Sequence, residues 1–135
     1  MENYFAYGHN VSQNNLYQRI NKRKNGKLSI LSDFRIVFNV RSKDYKKSYA
    51  NIIPYKNDFV IGILYKLSKK DLDILDYYED VDIGTYERIK VWVIVDEEYM
   101  EAWTYICRNE EWITDSLVPT KKYCRDIFDS IMKKL

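Results

Sequence analysis

The spacing of apolar residues restricts the fold of this chain more than any other feature. Between Phe34 and Arg41, apolar and polar side chains alternate with Val37 as the only break, which is typical of a strand with one buried face. Further segments with strand character are Asn3–Tyr7, Tyr49–Ile53, Phe59–Tyr65, Tyr86–Val95 and Met100–Cys107. Pro54–Asp58 predicts a turn between two of these strands, and Asp96–Tyr99 predicts the turn of a hairpin.

Three other segments carry the signals of helices. Asn10 is a candidate N-cap for a helix that extends to Ile20, with Gln13 at the capping-box position. A second helix is predicted over Ser68–Glu79, because Ser68 and Asp71 have the spacing of a capping box. Pro119 is predicted to begin a last, amphipathic helix. The apolar side of that helix is predicted to consist of Cys124, Ile127, Phe128, Ile131 and Leu135.

The order of these elements predicts the architecture. A strand, a helix, several strands, a helix, two strands and a helix favour a mixed sheet that curls around itself, with the helices packed outside. The 135 residues are a usual length for one domain, and 46% of them are hydrophobic, which is enough to build a core. We therefore expect a single domain over residues 1–135.

Composition excludes several classes of protein. The chain has 22 Lys and Arg against 20 Asp and Glu, and a net charge of +2 does not require nucleic acid or an anionic membrane as a partner. With only Cys107, Cys124 and one histidine, a zinc site of the Cys/His type is nearly impossible, so no metal is expected. We find no signal peptide, and the apolar run Phe59–Tyr65 is too short for a membrane span. These features predict a cytoplasmic protein.

Glu79 conflicts most with the pattern around it. Leu72 and Leu75 mark the apolar face of the second predicted helix, and Glu79 projects between them. The other acidic residues at this end, Asp73, Asp76 and Asp80, fall on the polar flank. A carboxylate in an apolar stripe costs desolvation free energy unless it is paired or used. Two interpretations stay open: the helix ends at Tyr78 and leaves Glu79 in a solvated turn, or Glu79 is a general base whose pKa is raised by burial.

The segment Tyr7-Gly8-His9-Asn10 is the second candidate site. It lies where a predicted strand meets a predicted helix, and Gly8 permits close approach of the backbone. Backbone amides at the start of a helix suit an anion such as a carboxylate. An ordinary turn is the alternative interpretation.

These two segments together resemble one family. YFAYGHN, from Tyr4 to Asn10, resembles the YFAYGSN signature of the gamma-glutamylcyclotransferase-like family, and LDYYEDV, from Leu75 to Val81, resembles its LDxxEGV segment. RIVFN, SYANIIP, VIGILYKLSKKDLDILD and GTYERIKV are similar to the segments between and after them. The similarity is clearest from Met1 to Val95, and beyond it only Tyr105 and Tyr123 align well.

The resemblance implies an α+β fold, a small mixed β-barrel with flanking helices. It implies a cofactor-free enzyme that releases 5-oxoproline from a small-molecule γ-glutamyl compound, with Glu79 as the general acid and base. Tyr7, Gly8, His9 and Asn10 would hold the glutamyl head group, Tyr105 would line the pocket, and Tyr86 would be a supporting tyrosine of the substrate site. In two positions the chain departs from the family, since His9 replaces a serine and Asp80 replaces a glycine. Asp80 would raise the pKa of Glu79 if the two carboxylates lie close.

Other functions stay open beside this one. The departures at His9 and Asp80 are compatible with a module that binds a γ-glutamyl or amino-acid ligand without turning it over. A nucleic-acid protein would depend on the basic residues Arg19, Lys22, Arg23, Lys24 and Lys27. The pI of about 8.4 lies below the range that such proteins favour, so these side chains are predicted to form a solvated loop. A pair of cysteine and histidine is a further possibility, although both cysteines fall in segments predicted to be structural.

Overall fold

The sheet of this protein closes into a barrel. The computed structural model describes all 135 residues and contains β1 (Glu2–Ala6), β2 (Lys27–Arg41), β3 (Ser48–Leu67), β4 (Glu87–Val95) and β5 (Glu98–Ile106). The strands follow the order β1-β3-β2-β4-β5 around the barrel. β1 pairs with β5 in parallel and with β3 antiparallel, so the sheet is mixed. The predicted architecture of a small mixed barrel is confirmed.

The interior of the barrel is filled by alternate side chains of its strands. Val91, Val93 and Val95 of β4 point inward because side chains of a strand alternate between its two faces. They pack with Phe5, Tyr7, Leu31, Ala50, Ile52, Val60, Leu64, Ala102 and Ile106. This apolar core reaches the end of β1, where the Tyr7–Asn10 segment leaves the barrel.

The helices pack on the outside of the barrel. They are α1 (Gln13–Ile20), α2 (Lys69–Tyr78) and α3 (Lys121–Met132), and 3₁₀ turns cover His9–Val11, Val81–Ile83 and Glu110–Trp112. Leu16 of α1 and Leu72 of α2 are fully buried in a second apolar core with Ile63 of β3. None of these helices has the length and apolar character that crossing a membrane would require.

Two of the predicted strands form one. Tyr49–Ile53 and Phe59–Tyr65 both belong to β3, so the predicted turn at Pro54–Asp58 is instead an irregularity inside a long hairpin of β2 and β3. The register shifts there, and the Asn57 amide donates to Asp33 Oδ1 over 3.0 Å. The prediction was wrong because β2 pairs with β3 on both sides of this stretch, at Pro54 and at Phe59, while residues 55–58 form a bulge without register partners in β2.

The predicted helix starts are right for α2 and wrong for α1. Ser68 and Asp71 form the capping box, each side chain accepting a hydrogen bond from the backbone N–H of the other residue. The N-cap of α1 is Ser12, whose Oγ accepts from the Asn15 amide over 3.2 Å, and not Asn10. Asn10 is buried, and its side chain donates to Tyr4 Oη and does not cap this helix.

The apolar side of α3 is narrower than its sequence predicts. Thr120, one residue after Pro119, is the N-cap of this helix. Ile127 and Ile131 pack against the second core, but Phe128 is 62% exposed and Leu135 is 74% exposed. The helix contacts the barrel along one narrow line, so the residues at the margins of its apolar stripe stay in solvent.

Candidate active site

A cavity of about 650 Å³ opens beside the barrel, between the segment after β1, the loop between β2 and β3, the end of α2 and the start of α3. Every site residue that the sequence predicts lines this cavity: Tyr7, Gly8, His9, Asn10, Glu79, Tyr86 and Tyr105. The structure therefore brings together residues that lie up to 98 positions apart in the chain.

Glu79 reaches the cavity from the end of α2. The helix ends at Tyr78, and the Glu79 amide donates to Leu75 O over 2.9 Å, so Glu79 is the C-cap. Leu72 and Leu75 are fully buried and fix the face that the helix presents to the barrel. The helix ends at Tyr78, as the first interpretation of the sequence predicted. That interpretation is wrong about the environment of Glu79, because its side chain is only 15% exposed and does not lie in a solvated turn.

The carboxylate of Glu79 forms an ion pair with Arg19 of α1, whose Nη1 lies 3.2 Å from Oε1. Burial raises the pKa of Glu79, the charge of Arg19 acts against this shift, and Asp80 and Asp76 add to it. Arg19 was assigned to a solvated basic loop, and this interpretation was wrong. Nothing in the sequence signals the contact, because the two residues are 60 positions apart.

The segment after β1 is fixed by its own polar contacts. Tyr7 Oη donates to the Tyr105 carbonyl over 2.6 Å, and Asn10 Nδ2 donates to Tyr4 Oη over 2.9 Å. The other polar atom of this carboxamide, Asn10 Oδ1, is buried and has no hydrogen-bond partner. At Gly8 a Cβ atom would lie 3.0 Å from Tyr123 Oη, so the close approach that the sequence suggested is present.

His9 is neutral in this setting. Burial, together with the positive charge of Arg19, lowers the pKa of its imidazole from 6.5 to about 4, while Asp126 opposes the shift. A histidine with this pKa is not an imidazolium at neutral pH, so it cannot serve as a general acid, although its neutral ring keeps one N–H. The acid end of the cavity, as we define it, consists of Tyr4, His9, Asn10, Arg19 and Glu79.

The two other predicted tyrosines also use their hydroxyl groups inside the protein. Tyr86 Oη donates to the Ala50 carbonyl over 2.6 Å, and Tyr105 Oη donates to Asp76 Oδ1 over 2.7 Å. Burial raises the pKa of both hydroxyl groups, so they stay protonated. Their rings shape the wall of the cavity while their protons are shared with protein acceptors.

A second set of residues that line the cavity was not predicted from the sequence. We call it the hairpin end, because its members gather around the loop between β2 and β3: Arg41, Lys47, Ser48, Thr85 and Trp112. The Ser42 amide donates to the Lys47 carbonyl over 2.8 Å and closes the loop. The guanidinium of Arg41 lies 4.1 Å from the centre of the Trp112 ring. Ser48 and Thr85 lie in two of the segments whose sequence resembles the family, whereas Arg41 and Trp112 lie outside all of those segments.

With this geometry in place, the comparison with known proteins has a clear result. Residues 4–125 match the family described as gamma-glutamyl cyclotransferase, AIG2-like. The chain belongs to this family. The match includes both ends of the cavity, from Tyr4 of the acid end to Trp112 of the hairpin end.

Individual members of the family are distant relatives. The gamma-glutamylcyclotransferase of Homo sapiens is 29% identical over 125 residues, which are 89% of this chain and 64% of the human protein. That of Bos taurus is 31% identical over 98 residues, or 70% of this chain and 52% of the bovine protein. The chain thus spans less than two thirds of both relatives. A solved structure of a gamma-glutamyl cyclotransferase superposes with a TM-score of 0.86 at 25% identity, covering 98% of this chain and 79% of that one.

Asp80, where the family resemblance has a glycine, lies in the left-handed region of the backbone with φ of 54°. Glycine adopts this conformation at no steric cost, and aspartate is among the residues that tolerate it. Its carboxylate lies 3.5 Å from Lys43 Nζ, so the departure adds an ion pair between this turn and the β2–β3 loop.

The cysteines and the basic loop lie outside the cavity. Neither Cys107 nor Cys124 lines it, and burial raises the pKa of the Cys107 thiol, which does not favour a nucleophilic thiolate. In the loop Asn21–Lys27, Lys22 pairs with Asp71 over 2.8 Å. No three side chains of His, Cys, Asp or Glu come together where they could hold a metal ion.

Proposed function

We propose that this protein is an enzyme that releases 5-oxoproline from a small γ-glutamyl amide, without a cofactor, and that Glu79 is its general acid and base. One observation carries the proposal: a buried carboxylate with a raised pKa lines the same cavity as the Tyr7–Asn10 segment. A raised pKa brings a carboxylate closer to neutrality, where it both accepts and returns a proton efficiently.

Substrate binding is assigned to the acid end. The backbone amides of Gly8, His9 and Asn10 are the proposed donors to the α-carboxylate of the glutamyl group. The rings of Tyr86 and Tyr105 would form walls of the site, since their hydroxyl protons are held by Ala50 and Asp76.

The reaction begins with a proton transfer. The α-amine of a γ-glutamyl amide is mostly protonated at neutral pH, and the lone pair of its nitrogen must be freed before it can attack. Glu79 accepts this proton, while Arg19 keeps enough of the Glu79 carboxylate ionised for it to act as a base. The freed nitrogen then lies within reach of its own γ-carbonyl carbon.

Ring closure follows within one molecule. A bond forms between the α-nitrogen and the γ-carbon, the bond between the γ-carbon and the leaving nitrogen breaks, and Glu79 returns its proton to the leaving amine. The α-nitrogen loses a second proton as the lactam forms, and the leaving amine takes up this proton as well. The products are 5-oxoproline and a protonated amine, and no water is consumed. Holding the nitrogen close to the carbonyl lowers the activation free energy by several kcal/mol, on the order of the gain found in well-oriented intramolecular reactions.

The proposal is tested by measuring 5-oxoproline release from γ-glutamyl dipeptides, γ-glutamyl-ε-lysine and glutathione, each with Glu79→Gln as a control. We expect at least one substrate to release 5-oxoproline in a reaction that the variant does not support. If saturable binding occurs without any release across the panel, the protein is a binding module and the proposed catalysis is wrong.

A further inference from the structure

The last turn of α2 leads directly into Glu79 but contains no apolar anchor of its own. Leu72 and Leu75, the buried apolar residues of this helix, lie before that turn. Tyr77 and Tyr78, which precede Glu79, are 75% and 43% exposed, so their side chains do not fix the turn against the barrel. The place of the Glu79 carboxylate therefore depends on polar contacts.

Asp76 supplies contacts between this turn and the barrel. Its Oδ1 atom accepts a hydrogen bond from Tyr105 Oη over 2.7 Å and lies 3.3 Å from Arg88 Nε. Arg88 of β4 and Tyr105 of β5 are register partners, so one carboxylate oxygen joins α2 to two neighbouring strands. We call these three residues the α2 clamp. The sequence places Asp76 on the polar flank of its helix, but its side chain is only 25% exposed.

The barrel also orients the arginine of the α2 clamp. The guanidinium of Arg88 lies 4.7 Å from the centre of the Trp103 ring, close enough for a cation–π contact. Trp103 Nε1 in turn donates to Glu2 Oε1 over 3.3 Å. The side chain of Arg88 is 23% exposed, so water screens its ion pair less than an ion pair on the open surface. The strands therefore present Asp76 with a partner whose orientation is already restricted.

The α2 clamp lies behind the cavity and not in it. Neither Asp76 nor Arg88 lines the cavity, so neither is placed to touch a substrate there. Tyr105 contributes its ring to the wall, but its hydroxyl group donates to Asp76. Glu79 pairs directly with Arg19 of α1 over 3.2 Å. The carboxylate of Glu79 is thus held by a partner on α1 and by a helical turn that is tied to β4 and β5.

We propose that Asp76 and Arg88 are positioning residues that set where the Glu79 carboxylate lies. With Tyr105 they fix the last turn of α2, so that Glu79 meets both Arg19 and the reacting atoms. The part of this inference that concerns the rate rests on the proposed function, whereas the contact between Glu79 and Arg19 exists without a substrate. A reacting group displaced by about 1 Å can slow a reaction about 100-fold, so a contact outside the cavity can control the rate.

A double-mutant cycle tests the inference without any substrate. Arg19 and Arg88 pair with different carboxylates, so their effects on stability should add unless the end of α2 links them. We expect Arg19→Met to lower the free energy of unfolding about half as much when Arg88→Met is already present. Lys90→Met is the matched control and should show additivity. Lys90 is also on β4 and lies 4.7 Å from the Trp103 ring, but it pairs with Glu101 and not with α2.

The rate of 5-oxoproline release gives the second readout. In Arg88→Met, kcat should fall about tenfold or more while KM changes less than about twofold, because the residues that contact the substrate remain. Arg88→Lys should recover much of the rate, since an ammonium group can still pair with Asp76. Lys90→Met should keep the original kcat. Each rate is measured well below the unfolding temperature of the variant, so a loss of stability alone does not lower it.

A second variant covers the case in which Arg88→Met does not fold. Asp76→Asn keeps an acceptor for Tyr105 Oη and removes the charge that pairs with Arg88, so it should show the same loss of kcat and the same coupling to Arg19→Met. Asp73→Asn is its control, because Asp73 is exposed and lies one turn earlier on α2.

The outcomes separate this inference from the proposed function. Additive losses in the cycle would overturn the inference, and so would an original kcat in Arg88→Met. A larger loss from Arg19→Met in the Arg88→Met protein would also overturn it, because a purely electrostatic link leaves a more negative end of α2 for Arg19 to stabilise. If the cycle shows the expected coupling but no γ-glutamyl compound releases 5-oxoproline, the proposed function fails and the α2 clamp still places Glu79 against Arg19.

Discussion

The two ends of the cavity differ in how far their polar groups are satisfied by the protein itself. At the acid end Glu79 has Arg19 as its partner and Asn10 Nδ2 donates to Tyr4, so Asn10 Oδ1 is the one buried side-chain atom of this end without a partner. At the hairpin end the hydroxyl groups of Ser48 and Thr85 have no partner at all. A site that holds its reactive group in place can be assembled before the substrate arrives, whereas buried atoms without a partner cost free energy in the free protein.

This difference predicts opposite responses to substitution. Changes at the acid end should alter the pH dependence, the rate and the stability of the free protein, because they remove interactions that already exist. Changes that remove an unpaired atom at the hairpin end should leave the free protein as stable as before or more so. The predictions that follow test this contrast in order of their expected size.

His9→Gln should change the pH dependence of stability most. Because the pKa of His9 is lowered to about 4 in the folded protein, the unfolded chain takes up a proton between pH 6.5 and pH 4 that the folded chain does not. The stability of the original protein therefore falls as the pH drops through this window, by up to about 3 kcal/mol from this group. Glutamine does not titrate, so denaturant unfolding at pH 7 and pH 4 should show a smaller loss. Equal losses in both proteins would contradict the buried, neutral histidine.

Arg19→Met should destabilise the protein by about 1–2 kcal/mol, because it leaves a largely buried carboxylate without its counter-charge. It should also raise the pKa of Glu79 further, so the acidic limb of a kcat/KM profile should move to higher pH. Arg23→Met is the matched control, since Arg23 is exposed and lies over the Tyr17 ring. An unchanged acidic limb in Arg19→Met would show that the ion pair does not set the protonation of Glu79.

Gly8→Ala tests the packing between the two ends. The new Cβ would lie 3.0 Å from Tyr123 Oη, which cannot easily retreat because it accepts a hydrogen bond from the Ala50 amide. We expect a loss of about 1 kcal/mol in the free energy of unfolding, as is usual for overpacking. Adding Tyr123→Phe removes the contacting atom, and the double variant should be more stable than the sum of the two single effects. If the two changes in the free energy of unfolding add strictly when measured in urea, the new Cβ and Tyr123 Oη are not in steric conflict.

Thr85→Val should have the smallest effect, and in the stabilising direction. It removes a buried hydroxyl without a partner, so the free energy of unfolding should stay equal or rise by up to about 1 kcal/mol. Thr104→Val is the matched control at a buried threonine of the same cavity, where Oγ1 donates to the Phe5 carbonyl over 2.8 Å, and it should destabilise. Should both variants lose stability equally, the contrast between satisfied and unsatisfied hydroxyl groups would be lost.

Apart from Arg19, the acid end could be predicted from the sequence because the resemblance to the family rests on two short segments. Tyr7–Asn10 is one segment, and the conflict between Glu79 and the apolar face of Leu72 and Leu75 is visible within two turns of a helix. The capping box at Ser68 fixed where that helix begins. Patterns of this kind depend on local spacing, which a sequence displays directly.

The remaining features depend on contacts between distant segments. Arg19 meets Glu79 across 60 positions, and Arg41 meets Trp112 only because the β2–β3 loop folds beside the 3₁₀ turn at Glu110–Trp112. The same reason explains the errors in the fold. The stretch Pro54–Asp58 stays within β3 because β2 pairs with β3 on both sides of it. The exposure of Phe128 depends on how much of α3 the barrel covers.

One measurement tests the central claim most directly, namely 5-oxoproline release by Glu79→Gln beside Asp73→Asn. Both variants turn a carboxylate of the α2 region into an amide, but Asp73 is exposed and lies outside the cavity. If Glu79 transfers the proton, Glu79→Gln should stay folded and lose at least about 100-fold in kcat, while Asp73→Asn should retain the original rate. A Glu79→Gln protein that turns over at the original rate would contradict the account.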